Sequence, residues 1–201
     1  MKIRSLAVLP VLALAALSLA GCDSKAGSAA VVNSKKISES DVNSYLTAKA
    51  QPIQASNGTS AAPKLFVLEY LVRNEVFALL LAGNGTPASD SQLDAQRTSA
   101  LGGSTEADIT GQITKLGLKS KFEPVVLRNR ELLAIINKEL TTDAKVTAAL
   151  AKVKDKVSIN PRYGSWNLQS VSLSDLGKKQ LPSMLSYDGT LPGDVKAPTG
   201  Q

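Results

Sequence analysis

The sequence contains no histidine, a single cysteine and few aromatic residues. Without histidine there is no imidazole for general acid–base catalysis, for Ser-His-Asp or Cys-His arrangements, or for most zinc sites with an open position. The only cysteine, Cys22, cannot form an intramolecular disulfide. Aromatic residues make up 4% of the chain, so stacking platforms for nucleic-acid bases are scarce. These absences argue against most catalytic, metal-dependent and base-stacking functions.

The chain has 201 residues, enough for one domain with a hydrophobic core, and 43% of them are hydrophobic. Its formal net charge is +6, of which Lys2 and Arg4 contribute two, leaving +4 on the remainder. Five of the 23 lysines and arginines are clustered at Lys115, Lys119, Lys121, Arg128 and Arg130. Such a cluster favours anionic lipids or acidic polymers, or it is simply the solvated face of a helix.

The first 22 residues have the organisation of an export signal. Lys2 and Arg4 precede an apolar run, residues 6–19, that is too short to span a membrane. The sequence Leu-Ala-Gly-Cys that ends at Cys22 resembles a lipobox, which predicts cleavage before Cys22 and a diacylglycerol thioether on its thiol. The alternative is ordinary cleavage after Ala20, which would leave Cys22 as a free thiol.

We therefore expect residues 1–21 to be a lipoprotein signal peptide and residues 22–28 to be a lipid-anchored tether. A second, amide-linked acyl chain would make this anchoring firm, because one chain alone holds weakly. The predicted location is the outer face of the cytoplasmic membrane, with the membrane as a partner through the lipid anchor. Nucleic-acid binding and nucleotide-driven catalysis are not expected there.

The folded part is predicted to begin with a strand, a turn and the start of a helix. The β-branched pair Val31-Val32 precedes the turn-forming pair Asn33-Ser34, which favours a short strand that reverses direction. Ser38 is typical of a helix N-cap, since its hydroxyl can accept from the backbone N–H of Asp41 while the Asp41 carboxylate reaches back. We expect the helix to extend from 38 to about 50.

The apolar pattern predicts further helices along the chain. Residues 51–63 are rich in turn-forming residues and are predicted to be an exposed loop. Residues 64–82 are apolar on most sides, which predicts a central core helix. Within it, Glu69 and Arg73 are spaced four residues apart, so they can form an ion pair along one polar edge of the helix. Charged residues in the middle of the segment would make its insertion into a membrane unfavourable, so it is not predicted to span one. Narrower stripes predict helices over 89–101, 109–116, 125–140 and 146–157.

After Val157 the pattern becomes extended, and it predicts one or two short strands that include Ile159 and Trp166. We expect these strands to pair with Val31-Val32 and so to bring the two ends of the domain together. Residues 174–201 are predicted to be a mostly disordered tail. The fold class is therefore mainly α: a compact domain of five to six helices, closed by a small antiparallel β element that pairs the N-terminal strand with the C-terminal extended segment.

The sequence contains no metal-binding constellation, phosphate-binding glycine loop or nucleophile–base pair. The Gly-Gly-Ser-Thr sequence at 102–105 lacks the lysine of a P-loop and is predicted to be a linker. Glu123 and Glu131 would lie roughly 12 Å apart along a helix, and nothing in the sequence would raise the pKa of either carboxyl. We expect no enzymatic activity, no metal and no cofactor.

Two separated segments carry a resemblance to a known family. Near the N terminus, over residues 31–46, VVN is followed by a turn and then by ISESDVNSYL. Over residues 157–166, VSINPRYGSW is similar to the V-x-(V/I)-N-P-R-Y-G-x-W segment of many actinobacterial members. Together they resemble the N-terminal chaperone domain of SurA and PrsA-type foldases, over residues 29–173.

The resemblance implies a helical cradle that holds unfolded or extended polypeptides through apolar contacts. Prolyl isomerase activity is not implied, because too few residues follow 173 for a parvulin domain and its histidines have no counterpart. The candidate peptide-binding surface is the uncovered part of the 65–82 and 125–140 helices. Four side chains are the candidates for it, with ordinary core packing as the alternative for each: Phe66, Tyr70, Phe77 and Leu80.

The leading hypothesis is a lipid-anchored holdase for unfolded or extended secreted polypeptides. The alternative is an accessory or structural envelope lipoprotein that docks one specific folded partner. A third hypothesis, a carrier of a small ligand, predicts a closed apolar pocket.

Overall fold

The structure, a computed structural model, describes residues 27–54, 60–166 and 185–186. Within these ranges the protein is mainly helical, with six α-helices and a small three-stranded antiparallel sheet. The predicted signal peptide, Cys22, residues 167–173 and all of the predicted tail except 185–186 lie outside the described residues. In chain order, the strands and helices are β1 Ser28–Val32, β2 Lys35–Ser38, α1 Glu39–Ser44, β3 Ile53–Gln54, β4 Ser60–Ala61, α2 Pro63–Gly83, α3 Asp90–Leu101, α4 Glu106–Lys115, α5 Glu123–Glu139, α6 Asp143–Val153, β5 Val157–Ile159, β6 Ser165–Trp166 and β7 Leu185–Ser186.

The N-terminal module begins with a hairpin of β1 and β2 that reverses at Asn33, whose φ is 56°. Ser38 then caps α1: its hydroxyl accepts from the Asp41 N–H at 3.0 Å, and the Asp41 carboxylate accepts from the Ser38 N–H at 2.8 Å. The predicted strand, turn and capping box are confirmed. The predicted helix length is wrong, because α1 ends at Ser44 and the chain then bonds to another segment, with Thr47 N donating to Gly117 O at 3.1 Å.

Helix α2 is the centre of the core. It packs against α5, α6 and β1, and its buried side chains lie on several sides of the helix, which confirms the predicted core helix. Pro63 occupies its first turn, where a missing N–H breaks no helical bond. The segment before it is not a plain loop, since β3 pairs with β4. Among the described helices, α2 included, none has the length and hydrophobicity needed to cross a membrane.

Helices α2 and α5 are tied by a buried pair of amide side chains. Asn129 Nδ2 donates to Asn74 Oδ1 at 3.0 Å, and Asn74 Nδ2 donates to the Val125 carbonyl at 3.0 Å. Asn74 is 6% exposed and Asn129 is 5% exposed. These bonds fix the register of the two helices and so hold the start of α5 beside the first half of α2.

The sheet closes the domain. Strand β1 pairs with β5 in antiparallel register, with Ala30 opposite Ile159 and Val32 opposite Val157. The predicted pairing is therefore confirmed for β5, and Val157 belongs to this strand rather than to the preceding helix. It is wrong for Trp166, because a 3₁₀ turn at Pro161–Tyr163 redirects the chain and β6 pairs with β7 instead.

The two segments that carry the family resemblance lie side by side. Asn160 donates from its backbone N to Ala29 O at 2.9 Å and from Nδ2 to Ser28 O at 3.1 Å. Arg162 forms an ion pair with Glu39 of α1. These contacts fasten the end of the helical domain to its beginning.

Candidate functional site

Four aromatic rings form a cluster at the first half of α2, hereafter the aromatic cluster: Tyr45, Phe66, Tyr70 and Phe122. Phe122 is at its centre, with ring centroids 5.2 Å from Tyr45, 6.1 Å from Phe66 and 5.7 Å from Tyr70. Phe66 and Tyr70 are themselves 4.9 Å apart. The inclined and edge-on arrangements are those that aromatic rings favour, because a positive ring edge meets a negative ring face.

The cluster combines residues from three separate segments. Phe66 and Tyr70 are one helical turn apart and lie on the same face of α2. Phe122 ends the 3₁₀ turn Ser120–Phe122 directly before α5, and Tyr45 follows the last residue of α1. Docking of the start of α5 on α2 therefore places the Phe122 ring beneath the other three.

The cluster is partly open to solvent. Phe122 is fully buried, whereas Tyr45, Phe66 and Tyr70 are only half-buried. Burial raises the pKa of the Tyr70 phenol, and the nearby positive charge of Arg73 opposes this. Tyr70 is therefore a neutral hydrogen-bond donor and acceptor at physiological pH, at a point where the aromatic rings meet charged side chains.

The four predicted peptide-binding residues divide into two pairs. Phe66 and Tyr70 belong to the aromatic cluster and retain exposed area. Phe77 is 0% exposed and Leu80 is 3% exposed, so both are core side chains that offer no surface to a ligand in this conformation. The candidate surface is thus narrowed to the first half of α2, and it gains two members that the sequence did not indicate, Tyr45 and Phe122.

A group of charged side chains connects α3, α4 and α5 on another side of the molecule. Arg97 Nε donates to Glu106 Oε1 at 2.8 Å, and Arg97 Nη1 donates to Glu131 Oε1 at 3.1 Å. Burial raises the pKa of Glu131 and of Glu123, and in Glu123 the charge of Glu106 adds to the effect, while Arg97 opposes the rise in both. The expectation that nothing raises either pKa is therefore wrong, because α3 covers this side of α5.

One guanidinium holds two of these carboxylates, since Glu106 and Glu131 both accept from Arg97. No group of three potential metal ligands is found in the part of the chain that the structure describes. The arrangement is that of a partly buried ion-pair network that joins three helices.

Two open cavities lie on the surface of the described domain. One, of about 390 Å³, lies between the end of α3 and α5 and is lined by Gln96, Ser99, Ala100, Leu101, Gly102, Ser104, Arg130, Leu133, Ala134 and Asn137. The other, of about 600 Å³, is lined by Thr47, Lys49, Thr114, Gly117, Leu118, Lys119, Ser120 and Lys121. Both are open to solvent, so neither is the closed apolar pocket that a carrier of small apolar ligands requires.

The structure brings together residues that sequence patterns could not connect. Tyr45 lies in a segment predicted to be helical, and Phe122 stands between Lys121 and Glu123, so the sequence marks neither as part of an apolar surface. Cys22, the predicted lipidation site, lies outside the described residues. The chain matches no protein-family model, no curated protein and no solved structure.

Proposed function

We propose that this protein is an extracytoplasmic, lipid-anchored holdase that binds unfolded or extended secreted polypeptides without catalysing prolyl isomerisation. The observation that carries the proposal is the aromatic cluster at the first half of α2, in which Tyr45, Phe66 and Tyr70 keep part of their area exposed. Aromatic rings bury much area while ordering few torsions, so they favour binding to many different apolar segments. Removing apolar area from water contributes about 25 cal/mol per Å² and requires no particular client sequence.

The N-terminal sequence supports the location in this proposal. A basic segment, a short apolar run and a lipobox-like sequence ending at Cys22 precede a domain whose first strand begins at Ser28. Only five residues separate Cys22 from β1, so a lipid on Cys22 would hold the start of the domain close to the bilayer. In this proposal, the domain binds secreted chains as they emerge near the membrane, while they are still unfolded.

The proposal is tested by an aggregation assay with several unrelated unfolded proteins and no ATP. The protein should delay their aggregation at near-stoichiometric ratios. The double substitution Phe66→Ser with Tyr70→Ser should weaken this protection. The matched control is Leu79→Ser, which removes another half-buried apolar side chain from α2 but lies on the opposite side of the helix, roughly 180° around the axis from Tyr70.

Thermal unfolding of each variant tests whether the domain remains folded. Equal loss of protection in the Leu79→Ser control would mean that stability, rather than the aromatic cluster, governs the effect. Protection limited to one folded partner, with none for any unfolded client, would overturn the proposal in favour of an accessory lipoprotein.

A further inference from the structure

Two positive charges border the aromatic cluster. Lys121 lies over the Tyr45 ring with its Nζ 5.0 Å from the ring centroid, which is within the range of a cation–π contact. Arg130 of α5 is close enough to Tyr70 for its charge to lower the pKa of the phenol, against the larger effect of burial. The ion pairs formed among the described residues include neither Lys121 nor Arg130.

The carboxylates nearest to the cluster in sequence do not balance these two charges. Glu69 forms an ion pair with Arg73 of the same helix at 2.6 Å, so the pair adds no net charge beside Tyr70. Glu123 directly follows the cluster in sequence, but its carboxyl interacts with the ion-pair network that joins α3, α4 and α5. The surface around the rings is therefore positively charged.

The Tyr70 hydroxyl adds a hydrogen-bond donor at the same place. It forms no hydrogen bond with any other residue that the structure describes, and burial keeps the phenol neutral, so its O–H is available to donate. The polar groups that border the rings are thus an ammonium, a guanidinium and a hydroxyl, and the first two can only donate. An acceptor with negative charge suits all three, and the carboxylate is the one that polypeptide side chains carry.

A polypeptide that covers the rings also covers these cations. Lys121 is exposed, and the half-buried Arg130 lines the open cavity between α3 and α5, so both can be reached from solvent. Removing water from a charged group costs free energy unless a group of opposite charge replaces the water. A client segment with aspartate or glutamate beside its apolar anchor supplies that group, whereas one with lysine or arginine adds repulsion.

We propose that the aromatic cluster selects extended client segments in which an apolar or aromatic anchor is flanked by aspartate or glutamate. The anchor contacts the half-buried rings of Phe66 and Tyr70, and the acidic side chains pair with Lys121 and Arg130. This inference rests on the proposed holdase function, because it names the class of client that the same surface prefers. Segments with basic flanks bind more weakly for the same apolar area, because like charges are brought together.

The test compares three synthetic peptides that share an apolar core of phenylalanine and leucine and differ only in the residues on either side of it. The flanking residues are aspartate in one peptide, glutamine in the second and lysine in the third. Binding to the full-length chain in phosphatidylcholine nanodiscs, a lipid without net charge, is measured by calorimetric titration and corrected with empty nanodiscs.

The aspartate peptide should bind at least about fivefold more tightly than the lysine peptide, with the glutamine peptide between them. This ratio should approach one as sodium chloride is raised to about 0.5 M, because salt screens exposed charges. Lys121→Gln together with Arg130→Gln should reduce the ratio to less than about twofold. Lys121→Gln alone should reduce it in part, and it alters only an exposed side chain, so this result does not depend on the folding of the Arg130 variant.

The matched control is Lys138→Gln with Lys154→Gln, which removes the same charge from exposed lysines outside the cluster and should keep the preference. Equal affinities of the wild-type chain for the three peptides, or an equal loss of preference in the control, would overturn this inference and leave the holdase proposal standing. If none of the three peptides binds, the holdase proposal is overturned and this inference with it.

Discussion

The buried amide pair between α2 and α5 allows a quantitative prediction. Leucine branches at the same carbon as asparagine and so replaces it with similar shape but without polar atoms. Asn129→Leu leaves Asn74 Oδ1 without its donor, and Asn74→Leu leaves Asn129 Nδ2 without its acceptor. A buried polar group that loses its partner costs about 1–3 kcal/mol, so each single variant should lose about that much free energy of unfolding.

The double variant should lose much less than the sum of the two. Once both amides are gone, no polar side chain is left unsatisfied in the pair, and the new side chains contribute apolar contacts. The Val125 carbonyl, which loses its bond from Asn74, still lies within α5, where the helix supplies a backbone donor. The expected coupling energy is therefore about 1–3 kcal/mol.

The wild type, the two single variants and the double variant form a double-mutant cycle. The free energy of unfolding of each is measured by chemical denaturation of the full-length chain, with far-ultraviolet circular dichroism as the signal. Asn137→Leu is the control, because Asn137 is exposed on the same helix and its substitution should change stability by less than about 0.5 kcal/mol. Additive single effects, with no coupling beyond about 0.5 kcal/mol, would refute the conclusion that the pair shares a buried hydrogen bond.

Further predictions concern separate parts of the molecule. Ser38→Ala should lower the free energy of unfolding by about 1 kcal/mol, measured by denaturation, because the capping box of α1 is lost. Gly117→Ala should lower the melting temperature, since it strains a left-handed backbone and forces Ala50 away; an unchanged melting temperature would contradict the close approach. The raised pKa of Glu123 means that the native state binds a proton more readily than the unfolded chain, so its contribution to stability falls as pH rises above the ordinary value of 4.5. Glu123→Gln should therefore show a smaller loss of stability between pH 4.5 and neutrality, as denaturation at several pH values will show. Cys22→Ser should prevent the globomycin-sensitive cleavage that removes the signal peptide. Normal maturation of that variant would exclude lipidation at this residue.

Local features of the fold could be predicted because their causes are local. The strand, turn and cap of the N-terminal module depend on residues a few positions apart, and Ser38 with Asp41 behaves as its spacing predicts. The core position of α2 follows from apolar residues around most of its circumference. The end of α1 could not be predicted, because the bonds that stop it come from Gly117, about 70 residues later.

The candidate site could be predicted only in part, for the same reason. Phe66 and Tyr70 are recognisable as a helical pair, but a helix with apolar residues on most sides does not reveal which of them remain uncovered. Phe77 and Leu80 are covered by the packing of other helices, while Phe66 and Tyr70 are capped by a ring from Phe122 and left partly open. The pKa shift of Glu131 likewise depends on α3, whose sequence has only a weak pattern of apolar residues.

The position of β1 between β2 and β5 has a consequence for the order in which the domain can fold. Its partner on one side follows within a few residues, but its partner on the other side enters the chain roughly 125 residues later. During synthesis in the N-to-C direction, the outer edge of β1 therefore stays unpaired until residues 157–159 emerge, and an open edge invites pairing with other chains. Closing so long a loop makes the pairing of β1 with β5 a late step, and the last helices must be synthesised before the sheet protects its own first strand.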